Sequence, residues 1–555
     1  MKNKVLIGIS LAVISLSLTA CNFLPFFQQE EGGYTYWKIG ESSARQASDV
    51  STPPAGEATF KKASVTYAEY VSNNIHPISV TPSTKKAKLL VIPIWFKDSG
   101  NYIDTNSREN VRSDIYATYF GKETDIGWES VKTFYETESN SSLLLTGTVS
   151  DWYEPDKNMS YYGTDPANDT SGAPKTSALA VSAVDWYFTN NPSDNRRSYD
   201  CDADGYLDGV MLIYAAPDYT LIGNDSYDNL WAYCYWIQDP SKQSASNPGA
   251  NAFFWASYSS MYGKEVAARR TGKSNAAGGD TSHCLLDTHT FIHEMGHMFG
   301  LEDYYDYSNN AGGKGYKPAG GFSMQDANVG GHDPFSSFAL GWGKAYIPTT
   351  SITINLQSFV KTGEMIILSP SWNSYNSPFD EYLIIEYFTS EGLNALDTTY
   401  PYMKSSRKSY PTGTKNSGIR LWHVDARLLY TRTGEWSQNN VTTNPKEPNG
   451  RVTLMMSNTY PDGTNQTLNY CSPLGKDYSS FNLLQLIRNN KTATYTPKEY
   501  LADSDLFYMG DTFSMDDYKK QFVNGNKLDS NKKLGFTFTV NACNSTYASI
   551  TINKE

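Results

Sequence analysis

The stretch HTFIHEMGHMFGLEDYYD, residues 289–306, constrains this chain more than any other part of its sequence. His293 and His297 are four residues apart, so a helix would place both imidazoles on one face, where they can bind the same metal ion. Glu294 follows the first histidine and can take a proton from a water molecule at that ion. The pattern predicts a helix that carries a zinc site, with Glu294 as catalytic base.

The motif extends beyond the two histidines. Gly300 allows a sharp turn through a backbone conformation that other residues resist, and Asp303 then becomes the predicted third ligand. Two imidazoles and one carboxylate suit Zn²⁺ and leave one position open for water. Glu302 is the nearest competitor for the third place. Five of the seven histidines lie between residues 283 and 332, which favours a metal centre over a helix with two solvated histidines.

A methionine lies downstream in GGFSMQD, residues 320–326. A lone methionine usually fills a core. The position of Met324 after the zinc motif resembles the methionine-containing turn beneath the metal in metzincin-type peptidases. We therefore expect Met324 to lie under the zinc site.

An acidic loop, DCDADGYLD, precedes an apolar run. Carboxylates that alternate around a glycine can surround a hard cation, which predicts a structural Ca²⁺ site. The expected ligands are Asp200, Asp202, Asp204 and Asp208. The loop departs from an EF-hand because Met211 occupies the twelfth position, where glutamate is usual. The alternative is a solvated turn whose aspartates cap backbone groups.

The N-terminus has the pattern of an export signal. Residues 1–20 combine a basic start with an apolar run that is short for a membrane span. Cys21 follows directly and completes the sequence LTAC, which resembles a bacterial lipobox. This resemblance predicts a cell-surface lipoprotein that is anchored to a membrane by an acylated cysteine. The alternative is a signal peptide with an incidental cysteine. Residues 21–86, rich in Ser, Thr, Ala, Pro and Lys, are expected to be a tether or a pro-segment.

Composition narrows the classes of partner and fold. A formal net charge of −12 argues against nucleic acid, because phosphate would be repelled. A chain of 555 residues with 14% aromatic side chains can bury a large core in more than one domain. Apart from Cys21, five of the six cysteines remain, an odd number, so at least one is free or bonded to another molecule.

Hydrophobic periodicity divides the remaining chain into two parts. Apolar runs of strand length first alternate with amphipathic helices, and short alternating strands follow from residue 351. We expect an α+β catalytic domain over residues 87–348 and a mostly β, sandwich-like domain over residues 349–555. Strands are predicted at 88–98, 143–149 and 210–215, and helices at 108–120, 128–135 and 177–189.

Two stretches leave their structure open. Residues 224–282 are irregular and aromatic, so part of them must be strand or core. In LWHVD, His423 and Asp425 could support the zinc ligands. The favoured alternative is a histidine at a strand end that is satisfied by local hydrogen bonds.

Several stretches, in this order, resemble the immune inhibitor A family of bacterial metallopeptidases. They run from about residue 88 to at least residue 429. The resemblance implies a secreted zinc endopeptidase with a metzincin-like catalytic domain, in which His293 and His297 bind the metal and Glu294 is the base. Members often have proline where this chain has Glu302. The stretches are LLVIPIWFKD, FYETESNSSLLLTGTVSDWY, DADGYLDGVMLIYA, HEMGHMFGLEDYYD, GFSMQDANVGGHDPFSSFALGWG, DEYLIIEYF and GIRLWHVDARL.

We therefore expect a lipid-anchored zinc endopeptidase that hydrolyses extracellular proteins or peptides with zinc-activated water. Two alternatives remain: a surface-exposed binding protein on a peptidase scaffold, and a zinc hydrolase of a non-peptide bond. Glu294 argues against the first alternative, since a protein that only binds does not need this base.

Overall fold

The structure is a computed structural model. No helix in the part of the chain that it describes is long and apolar enough to span a membrane. Cys21, the expected signal and most of the expected tether lie outside the described residues. The described residues are 27–31, 34–38, 80–164, 174–237, 239–273, 277–306, 316–370, 378–404, 408–410, 412–431, 441–442, 452–454, 456–458, 481–495 and 497–555.

Helices and strands occur together in the first half, and strands dominate the second. The helices are α1 Arg108–Phe120, α2 Glu123–Ile126, α3 Val131–Glu138, α4 Met159–Gly163, α5 Pro174–Asn190, α6 Tyr219–Ile222, α7 Lys264–Thr271, α8 His289–Met298, α9 Pro334–Leu340, α10 Phe359–Thr362 and α11 Asn394–Thr399. The strands are β1 Phe27–Glu31, β2 Tyr34–Lys38, β3 Lys85–Ile94, β4 Leu143–Val149, β5 Gly209–Tyr214, β6 Tyr233–Trp236, β7 Ala252–Ser257, β8 Lys344–Tyr346, β9 Ile352–Gln357, β10 Glu364–Leu368, β11 Glu381–Phe388, β12 Met403–Lys404, β13 Lys408–Ser409, β14 Gly418–Asp425, β15 Leu428–Thr431, β16 Val441–Thr442, β17 Val452–Leu454, β18 Leu484–Ile487, β19 Thr512–Phe513, β20 Phe536–Cys543 and β21 Tyr547–Lys554.

A five-stranded sheet in the order β4-β3-β5-β7-β6 forms the centre of the first half. Neighbours from β4 to β7 are parallel, and β6 is an antiparallel edge strand. The strand β3 is a continuous apolar run because both faces are covered, as parallel sheets require. Leu89 and Val91 face a core shared with α1, α3 and α8, whereas Leu90 and Ile92 face a core shared with α5. The helix of the zinc motif therefore packs on one face of this sheet.

The elements predicted from periodicity in this half are confirmed, with shifts of a few residues at their ends. The aromatic stretch 224–282 contains two strands, β6 and β7, and the short helix α7. The sequence shows no alternation here because β7 is buried on both sides, with Phe254 in one core and Phe253 and Trp255 in the other.

A seven-stranded sheet in the order β1-β2-β8-β10-β11-β14-β18 dominates the second half. Alternate residues of its central strands enter different cores. On β11, Tyr382 and Ile384 join the core of the first half of the chain, whereas Leu383 and Ile385 face the sheet β19-β20-β21-β9. The expected α+β organisation with a β-rich C-terminal region is confirmed, and the central strands of the seven-stranded sheet are buried on both faces.

The N-terminal stretch expected to be a tether contributes β1 and β2, which pair with each other and with β8. Alternation in Tyr-Thr-Tyr-Trp-Lys, residues 34–38, suits a strand. The cysteines of the described residues, Cys201, Cys234, Cys284 and Cys543, are free thiols.

Candidate metal centre

Helix α8 positions the two histidines of the motif. It begins after Asp287, whose carboxylate accepts the backbone N–H of His289 at 3.0 Å. One side of the helix is apolar and buried in the core of the catalytic half, through Phe291, Ile292, Met295 and Met298. His293 and His297 therefore face away from that core, one helical turn apart.

Asp303 completes a group of three donors. His293, His297 and Asp303 each offer an atom within 4.8 Å of the other two. Asp303 Oδ1 lies 3.1 Å from His293 Nε2 and 3.3 Å from His297 Nε2. Tetrahedral zinc, with bonds of about 2.0–2.1 Å, holds its donor atoms about 3.3–3.4 Å apart. The three side chains fit a zinc ion with one open position.

Backbone carbonyls set the orientation of both imidazoles. His293 Nδ1 lies 2.7 Å from the carbonyl oxygen of Met324, and His297 Nδ1 lies 2.7 Å from that of Leu301. A carbonyl only accepts, so each Nδ1 carries the proton and each Nε2 presents its lone pair to the metal position. This arrangement supports metal binding independently of the donor spacing.

Two glycines make this geometry accessible. Gly300, with a φ of +95°, turns the chain after α8 and brings the Leu301 carbonyl back to His297. A Cβ on Gly296 would lie 2.2 Å from Oε1 of Gln325, whose side chain is fully buried. Gly296 thus lets the segment that contains Met324 approach the helix.

The charge of Asp303 dominates the electrostatics of the group. Burial alone would lower the pKa of His297, but the Asp303 carboxylate raises it to about 10. Burial would raise the pKa of Asp303, yet the two imidazoles hold it well below its usual range. The site thus attracts positive charge, which a proton or a metal ion can supply.

Met324, expected from the sequence to lie under the zinc site, is fully buried, and its backbone carbonyl contacts His293. Its carbonyl holds His293, and the next carbonyl, that of Gln325, accepts the N–H of Tyr304 at 2.8 Å. The methionine turn is thus bonded to both the zinc helix and the segment carrying Asp303.

Two glutamates of the motif differ in position. Glu294 is 8% exposed and lies next to His293 on the helix. The backbone carbonyl of Glu294 accepts a hydrogen bond from Cys234 Sγ at 3.0 Å, which ties α8 to the edge strand β6. Glu302, the competing third ligand, is not part of the three-donor group.

Residues that the motif does not reveal line the same region. The phenol of Tyr305 donates a hydrogen bond to Asp303, and burial with nearby carboxylates raises its pKa well above the usual value. The ring of Tyr402, from the second half of the chain, lies 4.5 Å from that of His289. Tyr402 also donates a hydrogen bond to Asp287 at 2.9 Å. Tyr305 was discoverable from its place two residues after Asp303, but Tyr402 had no local signal.

The acidic loop brings together three of its four aspartates. Asp200, Asp202 and Asp208 offer oxygens within 4.8 Å of one another, and Asp204 is outside this group. Asp204 instead accepts the N–H of Tyr206 at 2.8 Å. Burial and neighbouring carboxylates raise the pKa of Asp202 to about 8, and burial raises that of Asp208 to about 7.

His423 and Asp425 contact residues outside the zinc motif. Its Nε2 lies 2.9 Å from Oε1 of Glu381 on the neighbouring strand. Asp425 forms a pair with Arg427, with Nε to Oδ1 at 2.7 Å. Neither residue supports the zinc ligands, and the partner of His423 is 42 residues away rather than local.

Comparison with known proteins gives a family match for the stretch that contains the predicted zinc motif. Residues 78–325 match the model of the immune inhibitor A peptidase M6 catalytic domain. This stretch is therefore similar in sequence to an M6 peptidase domain. The resemblance expected from the sequence motifs is thereby confirmed.

Two curated relatives carry matching stretches. Immune inhibitor A of Bacillus thuringiensis subsp. alesti is 24% identical over 247 residues, which cover 40% of this chain and 34% of the relative. The pre-pro-metalloprotease PrtV of Vibrio cholerae serotype O1 (strain M66-2) is 24% identical over 233 residues, which cover 38% of this chain and 23% of the relative. The matched stretches thus span about a third or less of either relative's length.

Substitutions in the three-donor group should remove one zinc ion per chain. We expect His293→Ala, His297→Ala and Asp303→Asn each to lose it, because two remaining donors hold zinc weakly. Elemental analysis of the purified protein after dialysis measures the zinc content. Glu302→Gln is the matched control for Asp303 and should retain the wild-type content. Loss of zinc in Glu302→Gln but not in Asp303→Asn would reassign the third ligand.

Proposed function

We propose that this chain is a zinc-dependent endopeptidase that cleaves extracellular proteins or peptides. The observation that carries the proposal is the spacing of 3.1 and 3.3 Å between Asp303 Oδ1 and the two Nε2 atoms, with both Nδ1 atoms bonded to carbonyls. The match to an M6 catalytic domain supplies the reaction class. We assign the catalytic domain, with a metzincin-like arrangement, to residues 87–348 and a C-terminal domain to residues 349–555.

The side chains around the group have distinct roles in this proposal. Zinc, when bound, polarises the scissile carbonyl and lowers the pKa of water. Glu294 takes the proton of the attacking water and delivers it to the leaving amine. The phenol of Tyr305 is protonated at neutral pH, and its hydrogen bond holds Asp303 in place. Met324 and Leu301 keep the imidazoles oriented through their carbonyls.

Glu294→Gln should retain zinc and lose peptidase activity. An amide cannot accept the proton of the attacking water, so we expect kcat to fall by roughly 10²–10⁴. Casein or labelled-peptide hydrolysis, with and without a zinc chelator, gives the rate, and elemental analysis gives the metal content. Glu265→Gln on the surface of α7 is the control and should be fully active. Undiminished cleavage by Glu294→Gln would remove the assigned base.

We also propose that Cys21 carries a lipid and anchors the protein at a cell surface. In the bacterial host, Cys21→Ser should abolish partition into the detergent phase of Triton X-114, because the protein then lacks an acyl chain. Cys201→Ser is the control and should partition as wild type. Equal partition of Cys21→Ser and wild type would contradict the anchor.

We propose a structural calcium ion at Asp200, Asp202 and Asp208. Their three oxygens lie within 4.8 Å of one another, and crowding with burial raises the pKa of Asp202 to about 8. A raised carboxyl pKa in the folded state destabilises the fold as pH rises from the unfolded value near 4 to the folded value. A bound cation removes this cost.

Calcium should therefore stabilise the protein more at pH 8 than at pH 5. At pH 5 Asp202 and Asp208 keep their protons in the folded state, whereas at pH 8 Asp208 is largely ionised and Asp202 is about half ionised, so their charges repel one another. The thermal unfolding midpoint, measured with and without added Ca²⁺ in zinc-containing buffer, checks this. Asp202→Asn should lose most of the calcium effect. A midpoint unaffected by Ca²⁺ at both pH values would refute the site.

A further inference from the structure

A second group of potential metal donors lies outside the zinc motif. It lies between the seven-stranded sheet and the layer formed by the sheet β19-β20-β21-β9 and the segments around it, which we call the C-terminal layer. Glu381 opens β11, His423 is on the adjacent strand β14, and Asp529 lies in a turn of the C-terminal layer. All three are buried, at 2%, 1% and 6% exposure. Glu381 and His423 occupy odd positions on their strands, like Leu383 and Leu421, and so face the C-terminal layer.

The donor atoms of this group are close enough to share one ion. Each of the three side chains offers an atom within 4.8 Å of the other two. His423 Nε2 and Glu381 Oε1 are 2.9 Å apart. Donors bound at about 2.0–2.1 Å, with angles of about 90–110°, lie about 2.9–3.4 Å apart. Small movements of these side chains would therefore complete a coordination sphere.

Two buried polar atoms of the group lack hydrogen-bond partners within the described part of the chain. They are His423 Nδ1 and Asp529 Oδ1. Buried nitrogen and oxygen atoms are nearly always bonded to another polar group or to an ion, since leaving them unpaired costs about 1–3 kcal/mol each. Asp529 belongs to the three-donor group, so its unpaired oxygen points to a ligand held there, whereas His423 Nδ1 lies on the opposite side of the ring from Nε2, the atom that would bind the ion.

The charges of the neighbouring side chains also favour a bound cation. Asp425 and Arg427 form a two-bond pair and cancel each other. Gln485, opposite His423 on β18, and Phe522, whose ring lies 5.3 Å from the imidazole, are neutral. Two carboxylates, those of Glu381 and Asp529, therefore surround one histidine. A divalent ion with a neutral imidazole balances them.

Burial and charge crowding are visible in the carboxyl groups themselves. Burial and the neighbouring carboxylates Asp425 and Glu381 raise the pKa of Asp529 to about 8. Burial would lower the pKa of His423, but Glu381 and Asp529 raise it to about 9.

We propose that Glu381, His423 and Asp529 bind one divalent transition-metal ion, of the Zn²⁺ type, that fixes the C-terminal layer to the seven-stranded sheet. One imidazole with two carboxylates suits such an ion better than Ca²⁺, which prefers oxygen donors alone. The site is structural, because its donors are buried. It is separate from the catalytic group and does not depend on the proposed peptidase activity.

The turn at Asp529 is already hydrogen-bonded to Glu381. Glu381 accepts the backbone N–H of Asp529 at 2.5 Å and that of Ser530 at 2.8 Å. These bonds leave carboxylate lone pairs for a metal, since each oxygen can accept more than one bond. The metal would join segments 42 and 106 residues apart along the chain, from Glu381 to His423 and from His423 to Asp529. Such a link restricts the unfolded chain more than a local contact does.

The test is a zinc count on the full-length protein, stripped with chelator and reloaded with Zn²⁺ alone. Wild type should bind two zinc ions, Asp529→Asn one, His293→Ala one, and the double variant none. Asp516→Asn, an exposed residue of the same layer, is the control and should bind two. One zinc ion in both wild type and Asp529→Asn would overturn the second site and leave the catalytic one standing.

Two further measurements make the test independent of how well one variant folds. In the His293→Ala background, Zn²⁺ should raise the thermal unfolding midpoint, and Asp529→Asn or His423→Gln should abolish this rise. Anomalous scattering at the zinc edge from crystals of the wild-type protein should show a peak between Glu381, His423 and Asp529. Absence of that peak at full zinc loading would refute the site directly.

Discussion

The three-donor group of His293, His297 and Asp303 depends on one carboxylate oxygen placed between two imidazoles. Asp303 Oδ1 lies within 3.3 Å of both Nε2 atoms, and its negative charge makes this buried place favourable for a cation. The carboxylate can reach it because Gly300 turns the chain after the helix. The imidazoles accept this geometry because carbonyls of Met324 and Leu301 take their other ring protons. Helix, turn and methionine segment thus form one unit around a single oxygen.

The parts of the site that the sequence predicts are those joined by short stretches of chain. Helical periodicity places His293, Glu294 and His297 on one helix, and a glycine of the motif predicts the turn that delivers Asp303. Buried strands and amphipathic helices in the first half could likewise be predicted, because the spacing of their apolar residues follows from which faces are buried. The position of Met324 could be predicted only from the order of the motifs along the chain, which the family resemblance supplied.

The parts that could not be predicted are formed by distant contacts. No local pattern indicates that the ring of Tyr402 packs against that of His289, because the two residues meet only through the fold. The strand β7 has no alternation because both of its faces are buried, so its aromatic run could not be told from an irregular core segment. His423 was expected to be satisfied locally, and its partner Glu381 is on another strand. Asp204 was expected beside the other loop aspartates, but it caps a backbone group.

The burial of the central strands of the seven-stranded sheet on both faces has a consequence for biosynthesis. The ribosome completes the zinc helix well before it reaches β11, β14 and β18, which cover the catalytic half. Until those strands arrive, the apolar surface that meets Trp422 and Ile384 is open to water and to other chains. The nascent chain therefore passes through an interval in which the zinc motif has been made but the core that supports it is incomplete.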